Sequence, residues 1–258
     1  MGNYPDILLL ALLGLVIGSF LNVCIYRLPR NESIIRPGSS CPDCKKKLAW
    51  WHKIPLLSYI ILFGRCNYCH SPISKSYFFV EVLTAICFAV LFTKFGISVQ
   101  FFVYSVFISL MIMIAIIDLK YYVILDIMTI SGIVFGFITA LLQVQIISPI
   151  DSIIGLVSGI LTLYLIRIIG NKLMRKESMG LGDIKLAGLI GVFLGWQLIL
   201  LSLFLSSLMI SLIHLFQLMM SKSKVNKQYP LGFYFSTGAI ICLFFGKEII
   251  DMYVMYIL

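Results

Sequence analysis

Acidic side chains are scarce in this chain: 11 Asp and Glu stand among 258 residues, against 20 Lys and Arg. Charge of either sign makes up 12% of the sequence, while 60% is hydrophobic. With a mean hydropathy of +1.03, too little polar surface exists to cover a water-soluble globule, and that class is excluded. Basic residues are also missing from the loops near 96, 147 and 197. No internal repeat is visible of the inverted kind that builds ion-coupled transporters. The first apolar stretch lacks the basic start and small-residue cleavage site of a signal peptide, and Arg27 and Arg30 follow it as a stop-transfer pattern would.

What is present is a series of long apolar runs. A helix needs about 20 mostly apolar residues to cross a bilayer. Stretches at 7–26, 77–95, 98–117, 124–143, 150–169, 184–195, 199–219 and 231–256 come near that rule. The expectation is an all-α polytopic membrane protein of about eight transmembrane helices, with a polar insert between the first two. Lys and Arg cluster at 27–75, at Lys120, at 167–185 and at 222–227. The positive-inside rule puts these on the cytoplasmic side and the N-terminus outside, with Lys94 and Lys247 as the exceptions. The net charge of +9 thus reads as topology, not as a nucleic-acid surface.

The insert, residues 27–76, carries Cys41-Pro-Asp-Cys44 and, 21 residues further on, Cys66-Asn-Tyr-Cys69. Two C-x-x-C pairs so spaced resemble a zinc ribbon, in which each pair bends into a knuckle that aims two thiolates at one ion. Disulfides or free thiols are the alternatives; a reducing cytoplasm argues against disulfides. His70 is at most a spare ligand. Cys24, Cys87 and Cys242 lie in or beside apolar spans and read as packing residues. The segment 48–63 is too short to span and is expected at the membrane interface, with Trp50 and Trp51 at headgroup depth.

With so few acids, the position of each is informative. Carboxylates at membrane depth are costly and are functional candidates. Asp118 ends the third apolar stretch in Ile116-Ile-Asp-Leu-Lys120, and Asp183 begins the sixth, flanked by Gly180, Gly182 and Lys185. Charge counting alone puts both at the cytoplasmic ends of their spans. The dipoles of their own helices act on them in opposite senses, Asp183 at an N-terminal end and Asp118 near a C-terminal one. Two carboxylates a few ångströms apart do not both ionise cheaply; one keeps a proton while the other activates water, which is aspartyl-protease chemistry. The plainer reading makes Asp183 a helix cap and pairs Asp118 with Lys120. Asp126 and Asp151 read as caps, and Glu81 as facing the bundle interior.

The ordered motifs, from Gly18-Ser-Phe-Leu-Asn-Val-Cys-Ile-Tyr-Arg-Leu-Pro29 through the two cysteine pairs, Trp50-Trp-His-Lys-Ile-Pro55, Ile116-Ile-Asp-Leu-Lys120 and Glu177-Ser-Met-Gly-Leu-Gly-Asp183, resemble the type IV prepilin peptidases, the leader peptidase/N-methyltransferases. The G-x-G-D element alone is weak, since presenilin-like proteases share it; the whole set in this order is specific and covers residues 11 to about 200. The resemblance implies a multi-pass enzyme of the bacterial inner membrane. Its substrates are prepilins or pseudopilins of pili, secretion or competence systems, cleaved by Asp118 and Asp183. The new N-terminus is then methylated with S-adenosylmethionine, an activity associated with the cysteine insert. It implies a division into 1–95, with the insert, and 96–258, the peptidase bundle. Gly180, Gly182, Lys185, Asp126 and Glu81 are expected to support the substrate site, and Cys41, Cys44, Cys66 and Cys69 to hold zinc. A peptidase-only protein, with the insert as a substrate clamp, is one alternative; an ion-coupled transporter is another. The chain departs from the family at Ile124-Leu-Asp126, where Ile-Pro-Asp is common, which puts the local turn in question.

Overall fold

The structure is a computed structural model that describes residues 4–36, 38–41, 43–174, 179–220 and 229–257. Glu177 and Ser178 of the last motif, and the basic run 222–227, lie outside them. Among the described residues eight α-helices follow in order: α1 Tyr4–Arg27, α2 Leu57–Ile61, α3 Lys75–Phe95, α4 Val99–Tyr121, α5 Asp126–Leu141, α6 Pro149–Met174, α7 Leu181–Met220 and α8 Leu231–Ile257. No strand occurs among the described residues, only two isolated antiparallel bridges. The helices α1, α3, α4, α6 and α7 are long and apolar enough to cross a membrane; α5 is apolar but shorter.

α7 accounts for two of the expected stretches. At 40 residues and about 1.5 Å per residue, an unbroken helix would be twice as long as a bilayer core is thick. Gly195 breaks it, with φ +79° and ψ 174°, a backbone state that side-chain-bearing residues rarely adopt. Two arms result, 181–194 and 196–220, matching the stretches 184–195 and 199–219. A Cβ on Gly195 would lie 3.6 Å from Ile147 and 3.9 Å from Asp151. The loop expected near 197 is thus reduced to the break at Gly195, which lies beside the loop near 147.

The chain divides into two compact units, Met1–Met113 and Ile114–Leu258. In the first, α1 packs on α3 so closely that a Cβ on Gly14 would come within 2.7 Å of the Ala85 backbone. The start of α4 stacks Tyr104 on Phe95, ring centroids 5.4 Å apart. In the second unit the first arm of α7 is the central helix, buried almost continuously from Asp183 to Gly195. A helix that is apolar on every side belongs inside other helices. Small residues let the neighbours approach: Gly191 and Gly155 meet backbone to backbone where α7 crosses α6. By contrast Leu161, Ile169, Phe204 and Leu212 are exposed, as side chains facing lipid would be.

Candidate active site and metal centre

Asp118 lies in the last turn of α4 and Asp183 in the first turn of α7, both in the second unit and both buried, at 5% and 9% relative exposure. The Asp118 charge is near enough to act on the Asp183 carboxyl. Ile124 is the wedge beside them. A Cβ on Gly182 would stand 3.0 Å from Ile124 Cβ, and one on Gly232 would stand 3.0 Å from both Ile124 Cδ1 and Asp118 Oδ2. The Gly180 backbone N–H faces the Asp183 carboxyl. The absence of side chains at 180, 182 and 232 is thus what leaves room around the pair.

One element of this site escaped the reading of the sequence. Asp118 Oδ2 accepts the backbone N–H of Phe233 at 3.1 Å, and the Gly232 N–H faces the same carboxyl. These are unpaired donors of the first turn of α8. The helix-end contrast expected between the two aspartates is therefore corrected: Asp118 ends its own helix but also sits on the positive N-terminal end of another. Its partner is that helix end, 115 residues away, which the Asp118–Lys120 reading did not foresee. A visible hint was Pro230-Leu-Gly232, a helix-start signature level with the carboxylates.

The turn between α4 and α5 survives the loss of proline. Tyr122, at φ +56°, donates its N–H to the Asp118 carbonyl at 2.9 Å and ends α4 in the left-handed state. Leu125 then takes φ −79°, ψ 127°, a φ that proline also holds. Asp126 begins α5 as expected, yet its side chain makes an ion pair with Lys185 at 2.7 Å. That pair ties the start of α5 to the start of α7. Asp151 does not cap as expected: Ser148 is the cap of α6, its hydroxyl oxygen accepting the Asp151 N–H at 3.1 Å, and the Asp151 carboxylate accepts that hydroxyl's hydrogen at 2.8 Å.

In the first unit Glu81 is buried at 8% exposure. It accepts the Leu56 N–H at 2.8 Å and the Ser19 hydroxyl, so it faces inward and ties the insert to α3 and α1. Asn22 of α1 donates to the Tyr77 carbonyl at 3.0 Å. The carboxylate pair and Glu81 thus belong to separate units.

The four insert cysteines converge. Their Sγ atoms all lie within 4.8 Å of one another, and none is in a disulfide. The two knuckles repeat one geometry. Cys41 N–H donates to the Lys46 carbonyl and Lys45 N–H to the Cys41 carbonyl; Cys66 pairs in the same way with Ser71 and His70. Lys45 and His70 both take positive φ, +58° and +57°. Flanking bridges join Ser40 to Lys47 and Arg65 to Pro72. With metal–sulfur bonds of about 2.3 Å, a tetrahedron has edges of roughly 3.8 Å; Cys41 and Cys69 Sγ are 3.8 Å apart. The residues fit a four-thiolate metal site. Hydrogen bonds from the Ser71 hydroxyl and backbone pull the Cys69 thiol down to about 6. His70 is exposed and outside the cluster. Beyond the cluster, Leu57, Ile60, Ile61 and Phe63 are exposed, as is Trp51; the Trp50 side chain is outside the described residues.

Comparison with known proteins identifies the family. Residues 12–95 match the model of the bacterial peptidase A24 N-terminal domain, and residues 105–215 that of the type IV leader peptidase family. Among curated relatives, a prepilin leader peptidase/N-methyltransferase of Myxococcus xanthus is 38% identical over 74% of this chain, which spans 57% of that protein's length. Proteins of the same name from Pseudomonas putida and Bacillus subtilis are 31% and 33% identical. Those matches cover 94% and 95% of this chain, and 92% and 97% of the relatives. No solved structure matches. The chain belongs to the type IV leader peptidase family.

Proposed function

We propose that this protein cleaves the cytoplasmic leader of prepilin-like substrates with the pair Asp118 and Asp183 and then methylates the newly exposed N-terminus. The observation that carries the peptidase half is the meeting of two buried carboxylates from α4 and α7, 65 residues apart in sequence. The pair acts as a unit. One carboxylate takes a proton from the attacking water while the other, protonated, donates a hydrogen bond to the scissile carbonyl oxygen. Collapse of the tetrahedral intermediate breaks the C–N bond as a proton passes to the leaving nitrogen. Gly180 and Gly182 leave room for an extended substrate beside Asp183. The Asp126–Lys185 pair keeps the start of α7 in place.

The methyltransferase half rests on the names of the relatives. S-adenosylmethionine supplies the methyl group. Cys41, Cys44, Cys66 and Cys69 hold zinc as a structural closure of an insert that has little apolar core of its own, and Glu81 fixes that insert against α1 and α3. We assign methylation to residues 1–95 and cleavage to 96–258. The chain crosses the bacterial inner membrane eight times, through α1, α3, α4, α5, α6, both arms of α7 and α8. Its N-terminus lies outside, and the carboxylates and insert lie at the cytoplasmic face. A prepilin, an apolar helix with a basic leader, would enter from the bilayer with its scissile bond at that level.

Co-expression with candidate prepilins tests this. Mass spectrometry should find mature pilin, shortened at the leader and methylated at its first residue. Unprocessed prepilin beside the intact enzyme would overturn the proposal.

A further inference from the structure

The N-terminus of α8, whose N–H groups reach Asp118, is held by a polar brace that has no part in the chemistry above. His214 and Gln217 lie near the end of α7, and Tyr229 stands two residues before α8. His214 Nδ1 is 2.7 Å from the Tyr229 hydroxyl oxygen, and that hydroxyl donates to Gln217 Oε1 at 3.0 Å. A phenol has a single O–H. With that hydrogen on Gln217, the His214 contact calls for the tautomer that carries its hydrogen on Nδ1 and donates to the phenol oxygen. The two rings meet edge to face, centroids 5.8 Å apart. On the far side of the helix start, the Ser206 hydroxyl shares its one hydrogen between the Ser202 carbonyl at 2.7 Å and the Tyr234 carbonyl at 2.9 Å.

The second arm of α7 therefore pins the chain at Tyr229 and again at Tyr234. Between those pins stand Pro230, with its restricted φ, and the two donors to Asp118, Gly232 and Phe233. No slack remains: a Cβ on Gly232 would already press on Asp118 Oδ2 at 3.0 Å. A carboxylate whose Oδ2 is held in this way presents its other oxygen in one fixed direction.

We propose that His214, Tyr229 and Gln217 are positioning residues of the peptidase. They hold the Gly232 and Phe233 donors on Asp118 and thereby fix the orientation of that carboxylate toward Asp183. The proposal rests on the reading of Asp118 and Asp183 as the cleaving pair. It makes the second arm of α7 and the head of α8, and not only the two motif-bearing helix ends, part of the catalytic apparatus.

The test is steady-state cleavage of a purified prepilin by the full-length enzyme in detergent. Tyr229→Phe keeps the ring and removes the oxygen; His214→Leu removes the donor; His214→Asn returns an N–H near the place of Nδ1. Tyr229→Phe and His214→Leu should lower kcat about tenfold with KM within about twofold, since a misplaced catalytic group costs rate more than binding. His214→Asn should recover at least about half of wild-type kcat, as restoring the donor restores the alignment. Gly232→Ala presses a methyl on the Asp118 carboxylate directly and should cost roughly 10²-fold, the loss that follows displacement of a catalytic group by about 1 Å. If Tyr229→Phe does not accumulate, Gln217→Leu reads the same brace from its other end.

Wild-type kcat in both Tyr229→Phe and His214→Leu would overturn the proposal. So would equal losses in His214→Leu and His214→Asn, which only a bulk structural role explains. Asp118→Asn is measured alongside. If it cleaves at the wild-type rate, the carboxylate reading itself falls; if it is inactive while the brace variants are fully active, the brace alone falls.

Discussion

The cysteine insert and the carboxylate pair reach their geometry by opposite routes. Each knuckle is closed within six residues by its own backbone, Cys41 against Lys45 and Lys46, and Cys66 against His70 and Ser71. Only the docking of one knuckle on the other is long-range. The carboxylates have no such local frame. Asp118 and Asp183 come together because α4 ends and α7 begins at one place, with Ile124 packed beside them against Gly182 and Gly232 and the head of α8 supplying donors. A site written in loop spacing is stapled by what it binds; a site written in helix ends depends on the packing of the whole bundle.

The sharpest way to break this contrast is to remove a carboxylate. Asp118→Asn should lower prepilin cleavage by a factor on the order of 10³ or more, the scale of a lost acid–base group, while zinc content stays unchanged. Elemental analysis and a gel-shift assay on one preparation check both. Cleavage near the wild-type level would end the dyad account.

Next in size is the metal. Wild-type protein should carry about one zinc per chain. Cys41→Ser or Cys66→Ser should lose it, and residues 27–76 should become open to protease, because a four-thiolate site supplies much of the folding free energy of a small module. Cleavage by the second unit should remain measurable. Zinc retained at full occupancy in Cys66→Ser would remove the cluster from the metal assignment.

Glu81→Ala leaves the buried Leu56 N–H without its acceptor, at a cost of about 1–3 kcal/mol. Methylation of mature pilin should fall severalfold more than cleavage of prepilin; equal losses would place Glu81 in the general fold. Gly191→Ala pushes a methyl into the Gly155 backbone and should destabilise the protein by about 1–3 kcal/mol, read as a lower melting temperature. The smallest effect belongs to Asp126→Asn. Its pair with Lys185 is exposed, 60% and 38% for the two side chains, so at most about 1 kcal/mol is at stake. Processing should stay within a fewfold of wild type.

Much of this was legible in the sequence because hydropathy and spacing act locally. The apolar stretches fell on helices, and the stretches 184–195 and 199–219 fell on the two arms of α7. Their junction at Gly195 is a single glycine turn, which leaves no polar loop to read. The cysteine pairs announced their cluster by spacing alone. What stayed hidden was tertiary. Nothing near Asp118 announces that Phe233 will donate to it, nor that Asp126 will give up a capping role for Lys185. Leu125 could not be recognised as holding the turn, because a φ of −79° is open to most residues while only proline advertises it.

The most direct test of the central claim gives the Asp183→Asn enzyme two substrates in parallel. One is intact prepilin; the other is mature, unmethylated pilin with labelled S-adenosylmethionine. If cleavage belongs to the helix-end carboxylates and methylation to the insert-bearing region, the variant should leave prepilin uncut and still label the mature pilin as wild type does. Cleaved prepilin, or mature pilin that wild type labels and the variant does not, would contradict that separation.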